Sequence, residues 1–143
     1  MSQQLKTIGS VVLVGLTLLG VGYLWGARGR WAAEERLAFV ERQSALNDAR
    51  RLVLSGQVAL SRLNFGEAAG LFESARAGTD TAATQMETAG LAVAVGDLRT
   101  ASAALGEARA LAAKLDQSAF AKAGDALALL DKTAAEHRVP PSE

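Results

Sequence analysis

Residues 31–63 read WAAEERLAFVERQSALNDARRLVLSGQVALSRL and predict one long amphipathic helix. The stretch has no proline, and its single glycine, Gly56, is a soft point rather than a turn signal. The apolar residues fall at spacings suited to one face of a helix. They are Trp31, Leu37, Val40, Ala45, Ala49, Leu52 and Leu60.

The composition of the 143-residue chain also favours helix. Alanine occurs 30 times and proline only twice, a balance that suits helices better than sheets. The absence of cysteine excludes a disulfide framework, a thiolate metal site and a thiol nucleophile. The 15 basic and 15 acidic residues cancel, which argues against broad nucleic-acid binding because that binding needs an excess of Lys and Arg.

Upstream of the long helix, residues 7–27 read TIGSVVLVGLTLLGVGYLWGA and carry no charge. At about 1.5 Å per residue such a helix is roughly 31 Å long, which matches a bilayer core of about 30 Å. We predict a tail over residues 1–7 and a transmembrane helix over residues 8–27. A cleaved signal peptide is the alternative, but its apolar region is shorter and small residues precede its cleavage site.

The flank of this segment indicates how it sits in a membrane. Aromatic and basic side chains favour the headgroup layer, and the predicted interface residues are Tyr23, Trp25, Arg28, Arg30 and Trp31. Three arginines follow the segment, whereas Lys6 and the amino terminus precede it, so the positive-inside rule favours a cytoplasmic C-terminal domain over a periplasmic one. The alanine- and arginine-rich composition suggests a bacterium, hence a bacterial inner (cytoplasmic) membrane.

Gly15, Gly22 and Gly26 fall on one stripe of the predicted transmembrane helix. Small residues let two helix backbones approach closely within a bilayer. The stripe therefore predicts a face for packing against another membrane helix, although glycine is common in such helices in any case.

Beyond residue 63, turn signals divide the chain into shorter helices. Asn64 and Glu67 have the spacing of an N-cap and an acidic third helical residue. Gly78–Thr79–Asp80 predicts a turn, and Gly96 with Asp97 predicts a helix end followed by a cap. The predicted helices are 65–77, 81–95, 98–111 and 118–137. We expect a juxtamembrane extension over residues 28–47, a helical domain over 48–137 and a flexible tail over 138–143.

A shift of 33 residues aligns Ala68 with Ala101, Phe72 with Leu105, and Ala75 with Ala108. The spacing resembles the tetratricopeptide repeat, which has small residues where its paired helices cross and larger ones between them. The first window consists of Leu52, Gly56, Phe65, Ala68, Phe72 and Ala75. The second consists of Ala89, Gly96, Leu98, Ala101, Leu105 and Ala108. The resemblance implies an all-α fold of small antiparallel helical hairpins after the single N-terminal transmembrane helix.

The resemblance covers residues 48–113 and departs from the family at two kinds of position. The family's tyrosine is replaced by Ala59 and Ala92, and its closing proline by Asp80 and Ala113. Two repeats are also fewer than a stable stack usually needs. A plain antiparallel helical bundle without repeat geometry is the alternative fold.

The resemblance implies a partner-binding groove on the first helix of each pair. Carried over to this chain, its predicted residues are Arg50, Val53, Gln57, Leu60, Met86 and Val93. Such a groove would be shallow and largely apolar, suited to a helix or an extended segment. The alternative is that these residues simply pack against other helices of the domain.

Two further patterns bear on function. The sole histidine, His137, lies in a charged terminal stretch and lacks companions for a zinc site, and no phosphate-binding or dinucleotide fingerprint occurs. We therefore expect no enzymatic activity, catalytic residue, metal or cofactor.

Arg50 and Arg51, with Arg42 and Arg62 nearby, form the densest basic cluster of the sequence. They predict either local ion pairs, such as Asp48 with Arg51, or a docking patch for an acidic partner or lipid headgroups.

Together these features predict a non-enzymatic, membrane-anchored protein–protein interaction module. Its partners would be other membrane proteins of a complex, besides the lipid bilayer, with no nucleic acid and no small-molecule substrate. We expect an accessory or scaffold subunit that stabilises a larger membrane assembly. The alternative is a membrane-tethered adaptor that transiently recruits soluble clients, for example in envelope biogenesis.

Overall fold

The computed structural model describes residues 33–138. They form four helices: residues 33–61 (α1), Phe65–Thr88 (α2), Ala92–Ala113 (α3) and Ala119–Glu136 (α4). The all-α fold predicted from the composition is confirmed for this part of the chain. Among the described residues, those up to Ala38 belong to one compact unit and those from Phe39 onward to a second, which contains the helical core.

No helix between residues 33 and 138 is long and apolar enough to cross a bilayer. The predicted transmembrane helix, residues 8–27, lies outside the described residues.

The core of the second unit follows one rule in all four helices. Buried positions alternate between spacings of three and four residues, which is the heptad pattern of helices packed side by side. These positions are Leu46, Ala49, Val53, Gly56 and Leu60 in α1; Ala68, Phe72, Ala75, Thr79, Ala82 and Met86 in α2; Ala94, Leu98, Ala101, Leu105, Ala108 and Ala112 in α3; and Ala119, Ala123, Ala126, Leu130 and Thr133 in α4.

The register of α1 differs from the predicted one. Ala49 and Leu60 are buried as expected, but Leu37 and Val40 are each 60% exposed. Leu46 and Val53, which the sequence analysis did not place in the core-facing stripe, are fully buried. The true stripe has the narrower heptad spacing, because α1 lies in a bundle in which a strict 3–4 pattern keeps one seam facing its neighbours.

Small residues bring the helices of this bundle close together. Of the 23 buried apolar residues in the described part of the chain, 14 are alanine. At Gly56 of α1 an added Cβ would lie 2.5 Å from Cε1 of Phe72 in α2, and at Gly78 of α2 it would lie 3.7 Å from Cβ of Ala49 in α1. Both glycines therefore lie where α1 and α2 pack.

The first and last helices are also neighbours. Gln43 of α1 donates to the carbonyl of His137, Arg50 pairs with Asp131, and the Gln57 amide lies 3.4 Å from the Phe120 carbonyl. Residue numbers rise along α1 as they fall along α4, so these two helices are antiparallel. Because α2 also packs on α3 and α3 on α4, the helices enclose a single core.

This closed arrangement corresponds to the plain antiparallel bundle that the sequence analysis left open as an alternative. Nothing in the described contacts identifies tetratricopeptide-like repeats. The 33-residue offset aligns Ala68, Phe72 and Ala75 with Ala101, Leu105 and Ala108, and all six are buried. Because α2 and α3 both follow a heptad, the shared core pattern is sufficient to produce such an alignment.

Two predicted helix boundaries are wrong. Gly78–Thr79–Asp80 lies inside α2, where Gly78 faces Ala49 and the buried Thr79 hydroxyl donates to the Ala75 carbonyl at 2.8 Å. Gly96 and Asp97 lie inside α3 rather than at a helix end. In each case tertiary packing of the flanking heptad positions outweighs the local turn preference of glycine and aspartate.

The turns that do occur share one geometry. Leu63, Gly90 and Leu115 have left-handed backbones, with φ of 58°, 74° and 59°. After α2, for example, the N–H of Gly90 donates to the Glu87 carbonyl and that of the next residue to the Met86 carbonyl. Equivalent pairs of bonds follow α1 and α3, so all three helices end in a Schellman motif.

Side chains fix the starts of α2 and α4. The predicted N-cap is confirmed: Asn64 accepts from the Glu67 N–H and donates to the Glu67 carboxylate at 2.6 Å. Before α4, Asp116 accepts from the backbone N–H of Ser118 at 2.8 Å and from its hydroxyl at 2.7 Å. These two hydrogen bonds, the backbone one first, hold the pKa of Asp116 below its usual range.

Candidate interaction surface

The six predicted groove residues do not line one open surface. Val53, Leu60 and Met86 are buried in the core, whereas Val93 is 73% exposed beside the turn between α2 and α3. These aliphatic residues therefore divide between the bundle interior and a remote surface.

The two polar groove residues contact the chain's own last helix. Arg50 pairs with Asp131 at 2.5 Å, and Gln57 reaches the Phe120 carbonyl and lies 3.7 Å from a Cβ placed on Gly124. The face of α1 on which the groove was predicted is therefore covered by α4. This is the packing alternative that the sequence analysis set beside the groove.

The membrane-related predictions fall outside the described residues. They concern the packing stripe Gly15, Gly22 and Gly26 and the interface residues Tyr23, Trp25, Arg28, Arg30 and Trp31.

A different face of α1 is open and apolar. Leu54 and Val58, one helical turn apart, are 50% and 49% exposed, and Leu63 in the following turn is 64% exposed. Leu54 and Val58 border a shallow depression at the junction of α1 with the start of α2. We call it the Leu54–Val58 surface, and it is lined by Arg51, Leu54, Ser55, Val58, Ala59, Arg62 and Glu67.

The charges on this surface are largely free to interact. Arg51 has only an exposed i,i+3 contact with Asp48 at 3.4 Å, the ion pair predicted from the sequence. Arg62 makes no side-chain hydrogen bond or ion pair within residues 33–138. The Glu67 carboxylate, by contrast, is held by Asn64. The surface therefore presents two guanidinium groups at the ends of an aliphatic pair.

Other grooves on the bundle have most of their charges paired. The depression beside Val93 includes Arg99 and Glu87, which form an ion pair at 3.2 Å. A groove between α2 and α3 passes over Gly106, and its Glu107 pairs with Lys122 at 3.0 Å. Arg76 is the one charged residue of that groove without a side-chain partner within residues 33–138. Fewer groups are left there to attract a charged partner.

The ion pairs of α4 are structural. Lys122 pairs with Glu107 and Lys132 with Asp97, at 3.0 and 2.8 Å, and both tie α4 to α3. In each pair the hydrogen bond to the carboxylate raises the pKa of the lysine. Both lysines are solvent-exposed, so these pairs set the position of α4 more than they add to its stability.

Within residues 33–138, histidine and carboxylate side chains form no group of three that could hold a metal ion. His137 lies at the end of α4, where its Nδ1 is 3.0 Å from the Thr133 carbonyl. Its position completes the last helical turn.

Comparisons of the chain with protein-family models, with curated proteins and with solved structures found no match. The chemistry of the Leu54–Val58 surface is set by its own residues: two aliphatic side chains, two guanidinium groups and one carboxylate.

The arginines of this surface were predicted from the sequence as ion-pairing or docking residues, whereas Leu54 and Val58 were not predicted. One signal could have found them. Once the buried heptad Leu46, Ala49 and Val53 is fixed, Leu54 and Val58 are left off the core stripe as large apolar residues without an internal role.

Proposed function

We propose that this chain is a membrane-anchored, non-enzymatic protein–protein interaction module that serves as an accessory or scaffold subunit of a larger membrane assembly. The observation that carries the proposal is the exposed aliphatic pair Leu54 and Val58 between Arg51 and Arg62 on a helical bundle. Apolar side chains grouped at a surface and rimmed by charge are a usual feature of binding sites.

The membrane part of the proposal is supported by the sequence. The uncharged segment of residues 7–27 has the length of a bilayer-spanning helix. The arginines that follow it favour a cytoplasmic position for the bundle at a bacterial inner membrane. Gly15, Gly22 and Gly26 supply a second contact face, inside the bilayer. The tetratricopeptide resemblance of residues 48–113 stays a prediction, and the proposal does not depend on it.

A transient adaptor is the second candidate, and the size of the surface favours it. Seven residues line the Leu54–Val58 surface, whereas a stable interface engages about 20–30 residues on each side. An adaptor would use this surface alone. A permanent subunit would combine it with the glycine stripe in the membrane.

Purification of the tagged full-length chain in mild detergent, followed by mass spectrometry, tests the proposal. A subunit retains one or two membrane proteins at fixed stoichiometry through dilution and moderate salt. An adaptor loses soluble proteins under those conditions. Recovery of a lone, folded monomer in every detergent would contradict the subunit proposal.

The membrane side has its own test, because the chain contains no cysteine. Ser74→Cys places a single thiol on an exposed position of α2. A membrane-impermeant maleimide should label it only after the cells are opened. Labelling in intact spheroplasts would place the bundle in the periplasm instead.

A further inference from the structure

We propose that the Leu54–Val58 surface binds an acidic amphipathic helix of a partner protein, one whose aliphatic stripe is bordered by carboxylates. The inference rests on the proposed interaction function and specifies the chemistry of the partner.

The shape of the surface suits a helix. Leu54 and Val58 are related as i and i+4 and form a short ridge along α1, with Ser55 and Ala59 beside it. Such ridges interdigitate with the side chains of a second helix, and small neighbours leave room for the partner's larger residues. A partner helix would place an aliphatic i, i+3 or i+4 stripe against them.

The charges of the surface select an acidic partner. Arg62 has no side-chain partner within the described residues, and the Arg51–Asp48 contact is 3.4 Å long between side chains that are 76% and 60% exposed. Such a contact contributes little to the stability of the fold, so Arg51 can pair with a carboxylate of a partner at little cost in free energy. Two guanidinium groups that border an apolar pair match a helix with carboxylates beside its own stripe.

The same charges disfavour a second copy of this chain. If two α1 helices packed in parallel through this surface, Arg51 would lie opposite Arg51 and Arg62 opposite Arg62. If they packed antiparallel with Leu54 against Val58, Arg62 of one copy would lie beside Arg50 and Arg51 of the other. Either arrangement brings like charges together, which weakens association.

An anionic bilayer surface fits less well than a helix. Membrane-binding helices insert a broad apolar face that contains Trp, Phe or several Leu residues, whereas this surface offers two aliphatic side chains and contains Glu67. The Glu67 carboxylate would repel anionic headgroups, whereas a partner helix can carry a neutral or basic residue opposite it.

Two synthetic helical peptides test the proposal directly. They share a leucine stripe at i and i+4 and differ in the flanking residues, which are Glu in one and Lys in the other. Fluorescence anisotropy measures the binding of each peptide to the full-length chain in detergent micelles. We expect the Glu-flanked peptide to bind at least about tenfold more tightly than the Lys-flanked one, since close charge pairs govern such discrimination.

Variants locate the binding. The double change Leu54→Ser with Val58→Ser should weaken binding of the Glu-flanked peptide about tenfold or more. The matched control, Val93→Ser, removes an exposed aliphatic residue elsewhere on the bundle and should leave binding unchanged. The charge reversal Arg51→Glu with Arg62→Glu should invert the preference, so that the Lys-flanked peptide binds better; this gain of binding cannot arise from unfolding.

Several results would overturn the proposal. They are binding of neither peptide, equal binding of both, and a preference that charge reversal leaves unchanged. A rapid disulfide between two copies carrying Val58→Cys would assign the surface to self-association. Tighter binding of vesicles of phosphatidylcholine and phosphatidylglycerol through the same residues would assign it to lipid.

The result of the peptide-binding test can be distinguished from the result of the co-purification test of the proposed function. If a partner co-purifies equally with the wild-type chain and the Leu54→Ser, Val58→Ser variant, the subunit function stands and this surface is not its site. If the Glu-flanked peptide binds as expected but nothing co-purifies, the surface chemistry stands and the subunit proposal fails.

Discussion

Gly56 determines how closely α1 and α2 approach. A Cβ at this position would lie 2.5 Å from Cε1, 2.9 Å from Cδ1 and 3.0 Å from Cζ of Phe72. The Phe72 ring is fully buried in a core of small residues, so it has little space into which to move. The glycine that the sequence marks as a soft point in a long helix is therefore required by the packing of a large side chain.

Gly56→Ala is expected to destabilise the fold. Overpacking costs about 1–3 kcal/mol, against a gain of about 1 kcal/mol in helix propensity, which leaves a net loss of up to about 2 kcal/mol. The control is Gly70→Ala in α2, where no atom lies within 4 Å of an added Cβ. This control should stabilise the fold by about 0.5–1 kcal/mol. Urea unfolding followed by circular dichroism measures both, and equal effects would contradict the close contact.

Two buried threonines differ in one hydrogen bond. Thr79 and Thr133 are both fully buried in the bundle. The Thr79 hydroxyl donates to the Ala75 carbonyl, but the Thr133 hydroxyl has no partner within the described residues. A buried hydroxyl without a partner costs free energy, because it has lost its hydrogen bonds to water and forms none in the protein.

Thr133→Val is therefore expected to raise the free energy of unfolding by about 1 kcal/mol, because it replaces the hydroxyl with a methyl group of similar size. Thr79→Val should instead lower it by about 0.5–1.5 kcal/mol. The two changes have the same helix propensities, so their difference isolates the hydroxyl. Chemical denaturation gives both values; a Thr133→Val protein less stable than wild type would show that the hydroxyl is satisfied.

At the scale of the element, the ends of α1 and α3 carry leucine where a left-handed backbone favours glycine. Leu63 and Leu115 have φ of 58° and 59° and are mostly exposed, so their side chains contribute little packing. Gly90 occupies the equivalent position after α2. A non-glycine residue in this conformation costs about 1–2 kcal/mol.

Leu115→Gly is expected to stabilise the fold by up to about 1 kcal/mol, because relief of the strained backbone exceeds the extra entropy of glycine in the unfolded chain. Gly90→Ala should destabilise it by about 1 kcal/mol for the converse reason. Thermal unfolding of the two variants compares them. Changes of the same sign would mean that the three helix ends do not share one geometry.

These helix ends also explain which elements the sequence predicts well. The start of α2 at Asn64 and the extent of α4 follow from caps and periodicity and agree with the structure. The sequence predicts helix ends at Gly78 and at Gly96, whereas the structure has one helix end in this region, at Gly90. Each of these glycines is a plausible local stop, and only the heptad of buried residues on both sides decides between them. Which glycine ends the helix therefore depends on contacts with other helices, and the sequence of a single helix does not show those contacts.

The proposed interaction surface was less predictable than the fold, for a related reason. Val53 and Leu60 were expected to line a groove, but they are core residues of the heptad. Leu54 and Val58 become candidates only when α4 is known to cover the neighbouring face of α1 through Arg50. Periodicity identifies apolar stripes, but which stripe stays exposed depends on how the helices close around the core.

At the scale of the whole molecule, the contact of α1 with α4 distinguishes a closed bundle from an open stack. It is made by polar groups at three levels, Gln43 with the His137 carbonyl, Arg50 with Asp131 and Gln57 with the Phe120 carbonyl. In a stack, each repeat contacts only its neighbours along the array and the end helices need not meet. The closed bundle leaves Leu54 and Val58, on the outer face of α1, exposed.

A cysteine pair tests this closure, because the chain contains no cysteine of its own. In the double variant Arg50→Cys, Asp131→Cys, a short bismaleimide should link the two thiols within one molecule, since the side chains they replace are in contact. The exposed ion pair contributes at most about 1 kcal/mol, so its loss should leave the fold intact. The control pair, Arg51→Cys with Asp131→Cys, moves one thiol to the outer face of α1 and should react much more slowly. Peptide mapping by mass spectrometry identifies the link, and equal rates for the two pairs would mean that α1 and α4 are not packed as neighbours in solution.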